Sequence, residues 1–301
     1  MRVPDEVKKS VVFVGTMGRD QHGQETPYYG GTGFLVSLPS RNIVGNSFIY
    51  LVTAKHVIDK AGDRPLILRV NTTDGKSTIV REEAPGWFFH PTDTAVDVAA
   101  VPVRHIPSFD YNVMPTSAFV TDDVIHEQNI GIGDEVFITG LFPRHSGSKR
   151  NIPIVRIGNI AMMPEERIVT NLGEAEVYLI EAKSIGGLSG CPVVVNKTTP
   201  SGVWQFHLLG MMHGHWDIGL DRMDDMDANV LGSINMGIAI VTPAKKILEV
   251  LENPALVTYR LEVEEMVKKM DVPTPNTRNM QRPLPIRVLD KLLRRRRISE
   301  E

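Results

Sequence analysis

Apolar residues in this chain fall in short runs broken by turn residues. The runs are S-V-V-F-V-G (10–15), G-F-L-V-S-L (33–38), F-I-Y-L-V-T-A (48–54), L-I-L-R-V (66–70), V-A-A-V-P-V (98–103), E-V-F-I-T-G (135–140), V-Y-L-I-E-A (177–182), C-P-V-V-V-N (191–196), F-H-L-L-G-M-M (206–212) and G-I-A-I-V (237–241). They are rich in Val and Ile, and Gly, Pro, Asn and Asp separate them at short intervals. No long helical period crosses residues 8–242, so this region reads as all-β, a barrel or a sandwich. The pattern then changes. Thr242 as N-cap, Pro243 at the first helical position and A-K-K-I-L-E-V-L-E predict a helix over 243–253, stopped by Pro254. Residues 255–270 read as a further helix or a mixture of strand and helix. Pro273, Pro275, Pro283 and Pro285 make 271–287 a linker or extended arm. The terminal V-L-D-K-L-L-R-R-R-R-I-S-E-E reads as a solvated tail in preference to a basic amphipathic helix.

Composition narrows the picture. A chain of 301 residues, 42% hydrophobic and 23% charged, has material for one large or two ordinary globular domains. A net charge of -3 gives no global pull toward nucleic acid or an anionic membrane. No apolar run approaches the roughly 18 residues of a membrane span. The opening M-R-V-P-D-E-V-K-K-S lacks the apolar core of a signal peptide. The single cysteine, Cys191, can form no internal disulfide, which favours a reducing compartment. A cytoplasmic location is the expectation.

Candidate chemistry starts at S-I-G-G-L-S-G (184–190). Glycine on both sides of a serine suits a backbone that takes angles forbidden to side chains, or one that something must approach closely. A nucleophile whose neighbouring N–H groups face a substrate oxygen has that need. On the segment alone, a solvated glycine-rich turn is the plainer reading. A serine hydroxyl becomes a nucleophile only with a base in reach and an acid to orient the base. Among nine histidines, His22, His90, His105, His126, His145 and His207 have no distinctive setting. His56 does, because it follows the apolar strand Y-L-V-T-A in T-A-K-H-V-I, where a buried strand reaches a barrel edge. Asp97 opens the apolar strand D-V-A-A-V-P-V. A carboxylate there is partly desolvated and needs a partner, and a histidine N–H is a good one.

Taken together, G-T-G-F-L-V-S (31–37), T-A-K-H (53–56), D-V-A-A-V (97–101), G-G-L-S-G-C-P (186–192) and N-M-G-I-A-I-V-T-P (235–243) resemble the trypsin-like, chymotrypsin-fold serine peptidases. The style is closer to the bacterial HtrA/Deg-like branch than to digestive enzymes. The resemblance covers about residues 10–250. It implies two six-stranded antiparallel β-barrels, the first over about 8–112 and the second over about 113–242, followed by the helix at 243–253. Residues 1–254 would be the peptidase domain and 255–301 a helical, Pro-rich tail. It further implies His56 as general base and acid, Asp97 as its orienting partner, Ser189 as nucleophile, and the N–H groups of Gly187 and Ser189 as an oxyanion hole. No cofactor or metal is implied, and the partner is a protein or peptide substrate. Lys183 stands where relatives place a residue at the base of the primary pocket, which implies an acidic P1 preference unless the loop turns Lys183 to solvent. Met212, His213 and Gly214 would follow the strand that pairs with substrate backbone.

Some positions depart from the family. Leu188 replaces the Asp that pairs with a freshly cut N-terminus in digestive relatives, so activation by N-terminal cleavage is not implied. R-N-I-V-G-N (41–46) looks like such a cleavage site but lies inside the first barrel and reads as a strand-turn. The residues after 254 are too few and too Pro-rich for a PDZ domain. Cys191, two residues past Ser189, reads as a small buried hydrophobe. His213-Gly-His215-Trp-Asp217 lacks the closing His of an H-x-H-x-D-H metal motif. The five Asp between Asp217 and Asp227 lack EF-hand spacing and read as a solvated loop. The rival to an enzyme is a protease-fold binding module, latent or inactive, with 255–301 as its handle for oligomerisation or a regulatory partner.

Overall fold

A computed structural model of the chain describes residues 3–82, 86–170, 172–183, 186–198, 202, 204–219, 233–269 and 282–283. The first sheet draws on β1 (Val11–Arg19), β2 (Glu25–Pro39), β3 (Asn46–Thr53), β4 (Leu66–Asn71), β5 (Ser77–Glu82), β6 (Phe88–Phe89), β7 (Ala99–Val103) and the short β8 (Met114–Pro115). Its order is β5-β4-β1-β2-β3-β7-β6, with β8 alongside β2. The second unit is built from β9 (Glu135–Gly140), β10 (Ile154–Met162), β13 (Tyr178–Glu181), β14 (Pro192–Thr198), β15 (Trp204–Gly219) and β16 (Ser233–Pro243), after the small hairpin of β11 (Arg167–Thr170) and β12 (Gly173–Glu176). These six strands close into an antiparallel barrel in the order β10-β13-β16-β15-β14-β9. The first sheet does not close among the described residues. A last short strand, β17 (Arg282–Pro283), runs parallel to the start of β3.

The continuous apolar runs in the barrel have a packing cause. In β14, Val193 and Val195 fill the barrel interior with Val136, Ile138, Leu209 and Met212. Val194, between them, faces out but is also buried, against Phe137, Leu208 and Met211 in the core shared with the first sheet. A strand covered on both faces needs no polar alternation.

Helices α1 (Asp5–Lys9), α2 (Lys55–Asp59) and α3 (Asp122–Gln128) are short connectors, whereas α4 (Ala244–Leu251) and α5 (Pro254–Lys269) extend the core. The helix expected from Thr242 starts at Ala244, because Thr242 is committed to the barrel ladder opposite Met211. Pro254 does not merely end that helix. It opens the next one, with Asn253 Oδ1 accepting from the Ala255 N–H at 3.0 Å as an N-cap.

Residues 255–269 are not a detachable tail. Leu256, Tyr259, Val263 and Val267 lie on one face of α5 and pack into the core with Phe48 and Tyr50. On the same helix Arg260 and Glu264 are buried and partnered. Arg260 donates to the Leu251 carbonyl at 2.6 Å and to the Tyr50 hydroxyl at 3.2 Å. Burial pushes the Tyr50 phenol up to about 12, so it stays neutral beside that cation. Glu264 accepts from Ser40 Oγ and Asn42 Nδ2, both at 2.5 Å, which pins α5 to the β2–β3 turn. The segments expected as an extended arm and a basic tail (271–301) lie outside the described residues apart from β17. No described helix is long and apolar enough to cross a membrane.

Two changes test this packing. Leu256→Ala should cost about 2–5 kcal/mol in urea denaturation, the range for a buried leucine. A chain ending at Asn253 should lose cooperative unfolding of the first sheet, and retention of a sharp transition would show that α5 is dispensable.

Candidate active site

Strand β3 carries the chain to Thr53, and Ala54 turns it into the single turn of α2 that holds His56. Strand β7 pairs with β3, with Ala99 opposite Thr53, so Asp97 reaches the same end of the sheet just ahead of β7. Asp97 is fully buried. It accepts from the His56 backbone N–H on Oδ1 at 2.9 Å and meets His56 Nδ1 on Oδ2 at 2.7 Å. An ionised carboxylate only accepts, so the ring proton between the two groups sits on Nδ1.

Ser189 comes from the barrel, on the loop from Gly186 to Gly190 that enters β14. Thr32 on β2 clamps this loop. Its hydroxyl donates to the Gly187 carbonyl at 2.7 Å and accepts from the Leu141 N–H at 2.9 Å. Its N–H donates to the Ser189 carbonyl at 2.9 Å. Gly187 has φ +91° and Gly190 φ +83°, both in the left-handed region. A Cβ on Gly190 would sit 2.2 Å from the Thr32 carbonyl oxygen and 2.4 Å from Thr53 Oγ1. The glycine after the serine is therefore required by both angle and contact. Leu188 is fully buried in the barrel core and anchors the loop without a charge. The Gly187 and Ser189 N–H groups donate no hydrogen bond among the described residues. Ser189 Oγ has the His213 carbonyl at 3.4 Å as acceptor. No hydrogen bond joins it to the His56 ring in this conformation.

Other expected residues fall differently. Met212 is fully buried in the barrel core, and Gly214 is half-buried. Both lie within β15 rather than after it. Lys183, two residues beyond β13, is exposed. Cys191 is buried, and burial pushes its thiol well up, which keeps it protonated. Little is described of the acidic stretch from Asp217 to Asp227, since 220–232 lie outside the described residues.

His213 was expected in contact with substrate. It is 2% exposed, and its Nδ1 lies 3.5 Å from Asp97 Oδ2. The cause is local. The ladder between β15 and β16 shifts register between Met212 and Gly214, leaving His213 as the extra residue of a bulge. Sequence alone showed a histidine just past the apolar run 206–212 but no bulge, so its aim was not legible.

A closed antiparallel barrel meets a second β-sheet, with His56 and Asp97 at the sheet end and Ser189 at the barrel end of one seam. The chain has the trypsin-like serine protease fold. Solved structures with a similar fold include the MamO protease domain from Magnetospirillum magneticum in its apo form, with 15% identity, coverage of 81% of this chain and 96% of that one, and a TM-score of 0.47. Deg5 has 16% identity, coverage of 85% and 92%, and a TM-score of 0.48. The Rv3671c protease of M. tuberculosis in an inactive form has 17% identity, coverage of 82% and 89%, and a TM-score of 0.45. Neither a protein-family model nor a curated protein matches the chain by sequence. At such identities the likeness concerns the fold alone.

The loop glycines are separable by experiment. Gly190→Ala should destabilise by about 3 kcal/mol or more, combining a left-handed backbone with a carbonyl clash. Gly186→Ala, with nothing within 4 Å of the added carbon, should be nearly neutral. Thermal denaturation of the pair checks this. A pH effect follows from His213. Burial holds its pKa below the ordinary 6.5, with Asp97 opposing and His56 adding to the shift. The unfolded chain then takes up that proton more readily. Stability should be fully present above the ordinary 6.5 and fall as pH drops below it, measured as urea midpoints across that range.

Proposed function

We propose that this chain is a serine endopeptidase working through Ser189, His56 and Asp97. The observation that carries the reading is the His56–Asp97 pair, a buried carboxylate 2.7 Å from Nδ1 that leaves Nε2 basic and turned outward from the acid. In the reaction, His56 Nε2 takes the Ser189 hydroxyl proton as Oγ bonds to the scissile carbonyl carbon. The carbonyl oxygen gains the negative charge and is met by the Gly187 and Ser189 N–H groups. His56 then gives the proton to the leaving amine as the C–N bond breaks, and the acyl chain stays on Oγ. Water repeats the cycle in reverse and releases the acid. Only side chains, backbone N–H groups and water take part. The two N–H groups, unspent in hydrogen bonds among the described residues, support the oxyanion role, and one such donor is typically worth about 2.7–4 kcal/mol in the transition state.

Ser189 Oγ must first turn from the His213 carbonyl toward His56 Nε2. Catalytic hydrogen bonds are often long before substrate binds. That same 3.4 Å contact favours the second reading, a protease-fold module held latent until a partner or substrate reorients the serine.

Fluorophosphonate labelling read by intact mass decides between them. The peptidase reading expects one adduct on the wild type and none on Ser189→Ala. Absence from both would favour the latent module. The exposed Lys183 would meet an acidic P1 side chain, so a peptide library should show an acidic P1 preference that Lys183→Ala removes. An apolar or basic preference would take Lys183 out of the substrate site.

A further inference from the structure

We propose that a pocket between α2 and the β1–β2 hairpin docks an acidic peptide segment of a partner protein through one large apolar side chain. The inference does not depend on the peptidase reading and applies equally to a latent module. The pocket has a volume of about 250 Å³. Val14, Tyr29, Val57 and Leu66 line it, together with the exposed Lys60 and Arg64.

Glycines and a mismatch between strands make the pocket. The β1–β2 ladder pairs Val14 with Gly31 and Gly15 with Tyr29, so Gly30 is the extra residue of a bulge. Gly31 lets α2 come close, since a Cβ there would lie 2.6 Å from Val57 Cγ1. Gly30 differs. A Cβ added at Gly30 would meet nothing within 4 Å, and its backbone is outside the left-handed region. The bulge therefore leaves open space beside a tightly packed wall.

Size and charge select the occupant. Small-molecule and cofactor sites run from about 300 to 1,000 Å³, so this volume suits a single leucine- or phenylalanine-sized side chain. The apolar walls reward its burial. The surrounding cations lack carboxylate partners. Lys60 Nζ makes no hydrogen bond or ion pair among the described residues, and neither Asp59 nor Asp63 on the same segment pairs with it or with Arg64. Arg64 donates from Nε to the Ala61 carbonyl at 3.1 Å and from Nη2 to the Lys60 carbonyl at 3.0 Å, which fixes its guanidinium and leaves Nη1 to donate. Arg69 lies over the Tyr29 ring, 5.9 Å from its centroid. Its partners are uncharged: Ser77 Oγ, the Ser146 hydroxyl and carbonyl, and the Ser148 carbonyl. The whole chain carries a net charge of -3, so this positive charge is a local feature. Carboxylates on either side of the apolar anchor would complement it. A nucleic-acid backbone would meet the cations but leave the apolar walls in water.

The test uses the full chain carrying Ser189→Ala, so that a peptide stays intact whether or not the chain is a peptidase. The probe is a fluorescent peptide of aspartate and glutamate around one central phenylalanine, followed by fluorescence polarisation. Saturable binding is expected. The charge reversal Lys60→Glu with Arg64→Glu should weaken it about tenfold or more, and most of its salt dependence should go with those charges. Gly30→Leu, which fills the open space, should also weaken it about tenfold or more by excluding the anchor. Replacing the central phenylalanine of the peptide by serine should have a similar effect, a comparison that needs no variant of the pocket to fold. Absence of saturable binding would overturn the proposal. So would binding that survives both pocket variants, equal affinity for the serine peptide, or equal competition by a single-stranded oligonucleotide of the same charge. Fluorophosphonate labelling of the wild type reads Ser189 alone, so the peptidase reading and this one can fail separately.

Discussion

A carboxylate with no exposure to water is costly unless its oxygens are met by donors, and that cost organises the end of the first sheet where His56 lies. Asp97 is such a group. Its Oδ1 takes the His56 backbone N–H, and its Oδ2 takes the His56 ring. Both contacts require α2 to begin directly after β3 and β7 to pair beside it. Removing His56 would leave a buried charge with half its donors, so the structural and chemical demands on that residue coincide.

The second constraint is the seam between the first sheet and the barrel. Thr32 spends its hydroxyl and its N–H on the serine loop and on Leu141, and Thr53 donates back to the Thr32 carbonyl at 2.7 Å. The seam is thus a run of directional bonds laid over the shared apolar core. Gly190 has no side chain because the backbone of β2 occupies that space. The serine is consequently registered against the histidine by the first sheet as well as by its own barrel. Its rotamer is still open to change, since among the described residues Oγ is held only by the long contact to the His213 carbonyl.

Helix α5 shows how chemistry away from the site serves the fold. Arg260 and Glu264 are buried, yet each meets several partners: Arg260 reaches Tyr50 on β3 and the end of α4, and Glu264 reaches the turn that leads into β3. A helix of low overall amphipathicity can dock in this way when its polar residues find acceptors and donors inside the interface. The same helix explains why a boundary at 254, natural on the Pro pattern, cuts through packed structure.

Many of the strands, the largely β character of residues 8–242, and the local settings of His56, Asp97 and Ser189 were legible in the sequence, because each depends on neighbours in the chain: strand periodicity, a polar residue at a strand edge, glycines around a serine. The closure of one unit into a barrel, the burial of both faces of β14, the docking of α5 and the aim of His213 were decided only in three dimensions. Those depend on register. A single inserted residue in β15 turned a histidine expected to meet substrate onto the buried acid, and Val194 is indistinguishable in sequence from the valines on either side of it. Local preference determines which elements form, whereas contacts distant in the chain determine which face each element buries and which groups meet at the seam.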